Sequence, residues 1–395
     1  MQWCDQRRAL RLAGFVLWML SGCGADQPES VTGGGLSGLR VSTVLGAAND
    51  AEYLRADQPR TFSFPQDHLA HPGFRSEWWY FTAWLTDAEG YEYGMQFTLF
   101  RQALTSHPVG EGPWQTGQAY LGHFAITDVA SASHHAAQRF ARGHPQLAGS
   151  QLEGGWSVYI DDWSLRQQPA EADFNFQLNA QQHEANGDRF AARLNVMQVQ
   201  PIVLQGERGL SRKSAESGSY YYSMPRLEVS GRLSLPDRSV TVTGSGWLDR
   251  EWSTSLLPQG VAGWDWFALQ LADGRSVMAF QLRRRDGRRD GFDHGLVVSP
   301  GARAPSVIGA GDPGVDLLRP EDYRLQAQRW WQDQQGVRWP VSWILSIGDE
   351  RFEVEALIDD QVMDTAIIYW EGIVGVRDEA GNDVGRGYME LTGYQ

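Results

Sequence analysis

Short runs of alternating apolar and polar residues recur along this chain, and long helical periodicity is hard to find. Met95, Phe97 and Leu99 alternate with Gln96 and Thr98. Phe267, Leu269 and Leu271 alternate with Trp266, Ala268 and Gln270, and Val240 and Val242 with Thr241 and Thr243. A period of two puts successive side chains on opposite faces of a strand. Turn signals such as Asn186-Gly187-Asp188, Pro236-Asp237 and Asp273-Gly274 separate these runs. Many short strands with such turns predict an all-β chain built as sandwiches or barrels. The best helix candidate is residues 129–142, which are Ala-rich and weakly amphipathic.

One pattern occurs twice. The stretch beginning at Glu77, EWWYFTAWLTDAEGYEYGMQFTLFR, lies over the stretch around Phe267. Phe81, Leu85 and Asp87 match Phe267, Leu271 and Asp273, each 186 positions on. After a shorter turn, Met95, Phe97 and Leu99 match Met278, Phe280 and Leu282, each 183 positions on. Both copies read as an aromatic strand, an Asp/Gly turn and an alternating strand, which is a hairpin. A repeat this long exceeds the period of solenoids or propeller blades. It predicts two related domains, placed at residues 59–250 and 251–395.

The first residues read as a targeting segment. Arg7, Arg8 and Arg11 precede the apolar stretch LAGFVLWML, which is too short to span a bilayer as a helix. Leu20-Ser21-Gly22-Cys23 follows, the pattern of a lipoprotein signal, so residues 1–22 are expected to be removed and Cys23 to carry lipid. The expected address is extracytoplasmic and lipid-anchored, on the periplasmic face of the outer membrane in a Gram-negative cell. Residues 23–58 are poor in large apolar groups and read as a flexible tether. The chain has two cysteines, Cys4 and Cys23, so the mature domains are expected to lack disulfides and Cys metal ligands. The net charge is −14, and loss of residues 1–22 with their three Arg and one Asp makes it −16. That balance argues against a nucleic-acid partner. The run from Arg283 to Arg289, interrupted by Asp286-Gly287, reads as a solvated hairpin tip.

Candidate chemistry concentrates in residues 244–281. Asp249, Glu251 and Asp265 lie there among Trp247, Trp252, Trp264 and Trp266. Desolvation among Trp residues raises a carboxyl pKa, and a carboxyl kept protonated near neutrality can act as a general acid. The alternative is that the Trp are core and the carboxylates cap loops or pair with Arg250. A regular strand would put Trp264 and Trp266 on one face and Asp265 on the other. Earlier in the chain, Asp67, His68 and His71 lie in a loop ahead of Glu77, Trp78 and Tyr80, and read better as a polar rim than as metal ligands. His123 is embedded in a strand-like run, and Tyr220 and Tyr222 face away from Tyr221. No G-x-S-x-G or H-E-x-x-H occurs, so neither serine-hydrolase nor zincin chemistry has support.

Several ordered motifs together carry a resemblance: Glu77-Trp78-Trp79-Tyr80-Phe81, His123-Phe124-Ala125-Ile126-Thr127-Asp128, Trp247-Leu248-Asp249-Arg250-Glu251-Trp252, Gly263-Trp264-Asp265-Trp266-Phe267, Tyr369-Trp370-Glu371-Gly372 and Glu390-Leu391-Thr392-Gly393-Tyr394. From about residue 60 onward the chain resembles the AttH family, which is related to carotenoid 1,2-hydratase (hydroxyneurosporene synthase). The resemblance implies two tandem lipocalin-like β-barrel domains and a pocket for an apolar small molecule such as a polyene, terpenoid or lipid. It implies hydration of an alkene without a cofactor, and the residues themselves give no expectation of a metal. For that chemistry Asp249 is the first choice of acid, Asp265 the second, and Glu251 a further catalytic candidate. Trp247, Trp264 and Trp266 would face the cation, Trp78 and Tyr80 would line the pocket, and Glu77, His123 or Tyr221 would orient water. The competing expectation is a lipocalin-like carrier, which needs the same barrels and the same Trp residues but no acid.

Overall fold

The computed structural model describes residues 52–395 except 108–109, 111, 113, 169–173, 184–186, 255–256, 258–259 and 302–306. Cys4, Cys23 and most of the expected tether therefore lie outside the described residues. The strands are β1 (Ser76–Thr86), β2 (Glu92–Ala103), β3 (Gln118–Asp128), β4 (Ser133–Arg142), β5 (Ala148–Gln151), β6 (Ser157–Ile160), β7 (Trp163–Gln167), β8 (Phe176–His183), β9 (Arg189–Gln198), β10 (Ile202–Leu204), β11 (Leu210–Arg212), β12 (Gly218–Ser234) and β13 (Ser239–Ser253). They continue as β14 (Val261–Leu271), β15 (Ser276–Arg284), β16 (His294–Val298), β17 (Val307–Gly309), β18 (Val315–Leu318), β19 (Tyr323–Gln332), β20 (Arg338–Ile347), β21 (Glu350–Ala356), β22 (Val362–Met363), β23 (Tyr369–Arg377) and β24 (Asp383–Thr392). Among the described residues no helix is long and apolar enough to cross a membrane.

The chain is all-β and forms two curled sheets, two lipocalin-like barrels in tandem. The first sheet runs β4-β3-β2-β1-β13-β12-β9-β8-β7-β6-β5, and the second β18-β16-β15-β14-β24-β23-β21-β20-β19. The first curls until β6 packs beside β3 and β4. Closure there needs a glycine. A Cβ on Gly122 of β3 would sit 3.0 Å from Ile160 and 3.1 Å from Trp163. Phe81, Phe97, Phe124 and Trp163 fill the first interior, and Phe267, Trp339, Val354 and Trp370 the second.

The twice-occurring hairpin is present as β1-β2 and β14-β15. Its second half is one residue out of register with the sequence match. Phe81 pairs with Phe97, whereas Phe267 pairs with Ala279, so the structural equivalent of Phe97 is Ala279 and not Phe280. A one-residue slip exchanges the faces of a strand. Met95 accordingly lies inside the first barrel, while Met278 and Phe280 lie outside the second, against the first.

Three further expectations are corrected. Residues 129–142 are not a helix, since Ser133–Arg142 is strand β4, paired with β3 along its whole length. Sheet pairing overrides the Ala-rich propensity there. Residues 52–58 are not free tether: Leu54 donates its N–H to Gly73 O at 2.9 Å, Ala56 is buried, and Gln58 O accepts from Tyr220 at 2.8 Å. The chain changes sheet between Ser253 and Val261 rather than at residue 250, because β13 stays in the first sheet to its end.

One end of the first barrel is plugged by charge. Glu77, Arg101 and Arg250 have side chains with no exposure, and Glu77 is ion-paired to both arginines. Arg101 also donates to Phe74 O at 2.7 Å, Arg250 donates to Leu69 O at 2.6 Å, and Arg250 lies 3.8 Å over the Trp79 ring. His71 bonds Glu77 and Asp67 and stacks on Trp252 at 3.8 Å. The Asp67–His71 loop is thus a plug inside the barrel. It is stitched to Arg60 and Tyr222 and does not rim a pocket.

Candidate functional site between the barrels

The outer faces of the two sheets meet. β1 packs on β24 and β2 on β23. Gly94 of β2 allows the approach, as a Cβ there would come within 2.5 Å of the Tyr388 hydroxyl. Gln270 of β14 reaches into the bulge of β12 and donates to Pro225 O at 2.9 Å and Gly246 O at 2.7 Å. Strands at this junction are covered on both sides, which explains near-continuous apolar runs such as WDWFALQL.

A cavity of about 760 Å³, open solvent at its mouth included, remains between the sheets. Trp78, Tyr80, Tyr221, Trp264, Trp266, Phe280 and Tyr369 form most of its wall, and Asp249, Glu251, Glu390 and Lys213 supply its charge. A second apolar cavity of about 940 Å³, open solvent again included, shares Trp78, Phe100, Trp264, Tyr369 and Glu390 with it and continues past Leu121 and Phe140. The two adjoin, with Glu390 lining both.

Asp249 is tightly held. Tyr221 donates to its Oδ2 at 2.5 Å, Trp247 to its Oδ1 at 2.6 Å, and Ser223 also to Oδ1. The Tyr221 oxygen in turn accepts from Trp266 at 3.3 Å. Burial pushes the Asp249 carboxyl up to about 7, against the three hydrogen bonds, with Glu251 adding repulsion. Glu390 is raised to about 8 by burial, opposed by a hydrogen bond from Trp264 and reinforced by Asp249 and Glu251. The surface that Glu390 exposes faces the cavity. Glu251 accepts from Ser219 and pairs with Lys213 at 3.1 Å, and Lys213 lies 4.5 Å over the Phe280 ring. Beside Glu390, β23 carries Glu371, 1% exposed and raised well above the usual carboxylate range by burial and by Glu390.

A raised acid has a consequence for stability. The folded state keeps a proton on Asp249 that the unfolded chain releases at its ordinary value of 3.8, so this site's contribution falls as pH rises from there through about 7. Asp249→Asn is therefore expected to gain stability relative to the parent between about pH 4 and about pH 8 in denaturant unfolding. An unchanged difference across that window would show Asp249 ionised throughout.

The structure brings most of the sequence-derived candidates together. Trp78, Tyr80, Tyr221, Asp249, Glu251, Trp264 and Trp266 line the cavity. Trp247 lies beneath it on Asp249, and His123 reaches it through Tyr369, 2.7 Å from Nδ1. Two candidates are corrected. Glu77 borders the second cavity, but its side chain has no exposure and is engaged by Arg101 and Arg250 inside the first barrel, so it is not placed to orient water. Asp265 points into the second barrel, where Arg283 and Tyr394 hold it at 3.0 and 2.7 Å. Strand alternation accounts for both. Lys213, Tyr369, Glu371 and Glu390 were missed as site residues. A signal existed, namely single glutamates inside the apolar strands YWEGIVGV and YMELT. Among the described residues no group of three or more His, Cys, Asp or Glu is placed to hold a metal ion.

Two lipocalin-like barrels with an aromatic cavity of buried carboxyls between them define the class of protein. Residues 55–394 match the AttH-like family, and the chain belongs to it. The crystal structure of an AttH protein from Nitrosomonas europaea is 33% identical, covers 87% of this chain and 100% of its own, and superposes with a TM-score of 0.71. Kievitone hydratase from Nectria haematococca is 13% identical, with 84% and 92% covered and a TM-score of 0.60, and shares the fold. No curated protein matches by sequence.

Proposed function

We propose that this protein is a cofactor-independent hydratase that adds water to a carbon–carbon double bond of an apolar substrate, a polyene or terpenoid. The observation that carries the reading is Asp249, a carboxyl pushed up to about 7 by burial on a cavity walled mostly by aromatic side chains. Protonated Asp249 gives its proton to one alkene carbon. The π bond opens and leaves a carbocation on the other. The faces of Trp78, Trp264 and Trp266 stabilise that cation by roughly 0.5–2 kcal/mol per contact. Ser223, Tyr221 and Trp247 stabilise the Asp249 carboxylate just formed. Water then bonds to the cation, and its surplus proton restores the acid. The two adjoining apolar cavities suit an apolar substrate, and the fold is one on which a protein named as a hydratase is built. Incubation with acyclic polyenes and terpenoids tests the reading. A hydroxylated product that forms with the parent and not with Asp249→Asn supports it, while tight retention of such molecules with no product would make the protein a carrier.

We also propose that Cys23 carries lipid and holds the chain on the periplasmic face of the outer membrane. The basic residues, short apolar stretch and Leu20–Cys23 pattern support this. Cys23→Ser is expected to move the protein to the soluble fraction and to remove the lipid mass from its N-terminal peptide. Retention of the variant in membranes would refute the anchor.

A further inference from the structure

The row of side chains that carries Asp249 continues beyond it. Register places Ser223, Asp249, Tyr80, Thr98 and His123 side by side across the outer face of the first sheet. On the second sheet Glu371 is the cross-strand neighbour of Glu390. Both Glu371 oxygens and the Tyr80 hydroxyl are buried without a hydrogen-bond partner, and so is His123 Nε2. The phenols of Tyr80 and Tyr369 lie near enough to Glu371 to favour its charged form, yet neither meets hydrogen-bonding geometry. An unpaired buried polar atom costs about 1–3 kcal/mol, and native interiors avoid that cost by enclosing ordered water. Glu371 and Tyr80 alone offer three unpaired atoms, and a buried water typically makes two to four hydrogen bonds. Tyr80 also lines the substrate cavity.

We propose that Glu371 and Tyr80 hold the water molecule that is added to the substrate, on the side of the cavity away from Tyr221. The proposal rests on the hydratase reading. The sequence of steps balances without a further reagent. Asp249 protonates the alkene and becomes a carboxylate. The held water forms the C–O bond, and one O–H bond of the resulting oxonium breaks. Its proton returns through solvent in the cavity to the Asp249 carboxylate, which restores the acid. Glu371 orients the water and keeps its own proton throughout, as its burial beside Glu390 favours.

Crystal structures of the whole protein, of Glu371→Leu and of Tyr80→Phe test the held water directly. The expected result is an ordered water bonded to Glu371 and Tyr80 in the parent and absent from Glu371→Leu. A direct Glu371–Tyr80 hydrogen bond with no water would overturn the proposal. Removing an unpaired carboxyl should leave Glu371→Leu at least as thermostable as the parent. A clear fall in Tm would mark Glu371 as a structural residue and count against it. On any hydrated polyene, Glu371→Gln is expected to lower kcat by about tenfold to a hundredfold with KM unchanged and the pH profile unmoved. Unchanged kcat overturns the assignment. If the parent hydrates no alkene, the hydratase reading fails and this role falls with it, whereas water in the density beside unchanged kcat would defeat the role alone.

Discussion

Asp249→Asn is expected to lower turnover by about 10²–10⁴-fold while leaving the capture of apolar ligands intact. Asn has the shape of Asp. Its carbonyl oxygen can still accept from Trp247 and Ser223, and its amide can donate to the Tyr221 oxygen, which already accepts from Trp266. The cavity wall therefore survives, and what is lost is a proton that can be transferred. Because the acid must be protonated to react, the parent's rate is expected to fall as pH rises through about 7. Fluorescence quenching of the wall tryptophans by a polyene measures binding separately from product formation. Loss of both together would mean that the substitution damaged the cavity. Full turnover would mean that Asp249 is not the acid, and Glu390 would take its place.

The largest stability effect is expected far from the cavity, at Arg250. Arg250→Met leaves buried Glu77 with Arg101 as its remaining arginine partner, and breaking a buried pair on one side costs about 3–5 kcal/mol. The Leu69 carbonyl also loses its donor. Replacing Glu77 by Gln in the same chain should deepen the loss, because Arg101 is then a buried cation with no carboxylate partner. The pH dependence has a definite sign. Burial would raise the Glu77 pKa, but Arg250, Arg101 and His71 hold it well below its ordinary value of 4.5. A depressed carboxyl stabilises the fold above that value, and the contribution fades as pH falls below it. Denaturant unfolding of parent, single and double variants measures both effects. A single variant as stable as the parent would show that the network adds nothing to stability.

Much of this architecture was legible in the chain. Alternation gave the strands, the matched hairpins gave two related domains, and the family resemblance implied that they are barrels. It was also alternation that set Asp265 apart from Trp264 and Trp266. The register of the second hairpin was harder to read. Met95 and Met278 align by letter yet face opposite ways, because strands at the barrel junction are apolar on both faces and lose the period that marks orientation. The same double burial hid Glu371 and Glu390, which lie in runs that read as core. Glu77 failed for another reason. A carboxylate beside two tryptophans looks like a site residue until Arg101 and Arg250, 24 and 173 positions away, are found on it. Distances of that kind are set by sheet pairing and not by local sequence.

The central claim is that the inter-barrel cavity adds water to an alkene with Asp249 as the acid. Incubation of the parent and Asp249→Asn with an acyclic polyene in water labelled with heavy oxygen tests it most directly. The account predicts a product that gains one labelled oxygen and two hydrogens with the parent, and none above background with the variant. Equal product from both proteins, or a hydroxylated product whose oxygen is unlabelled, would contradict it.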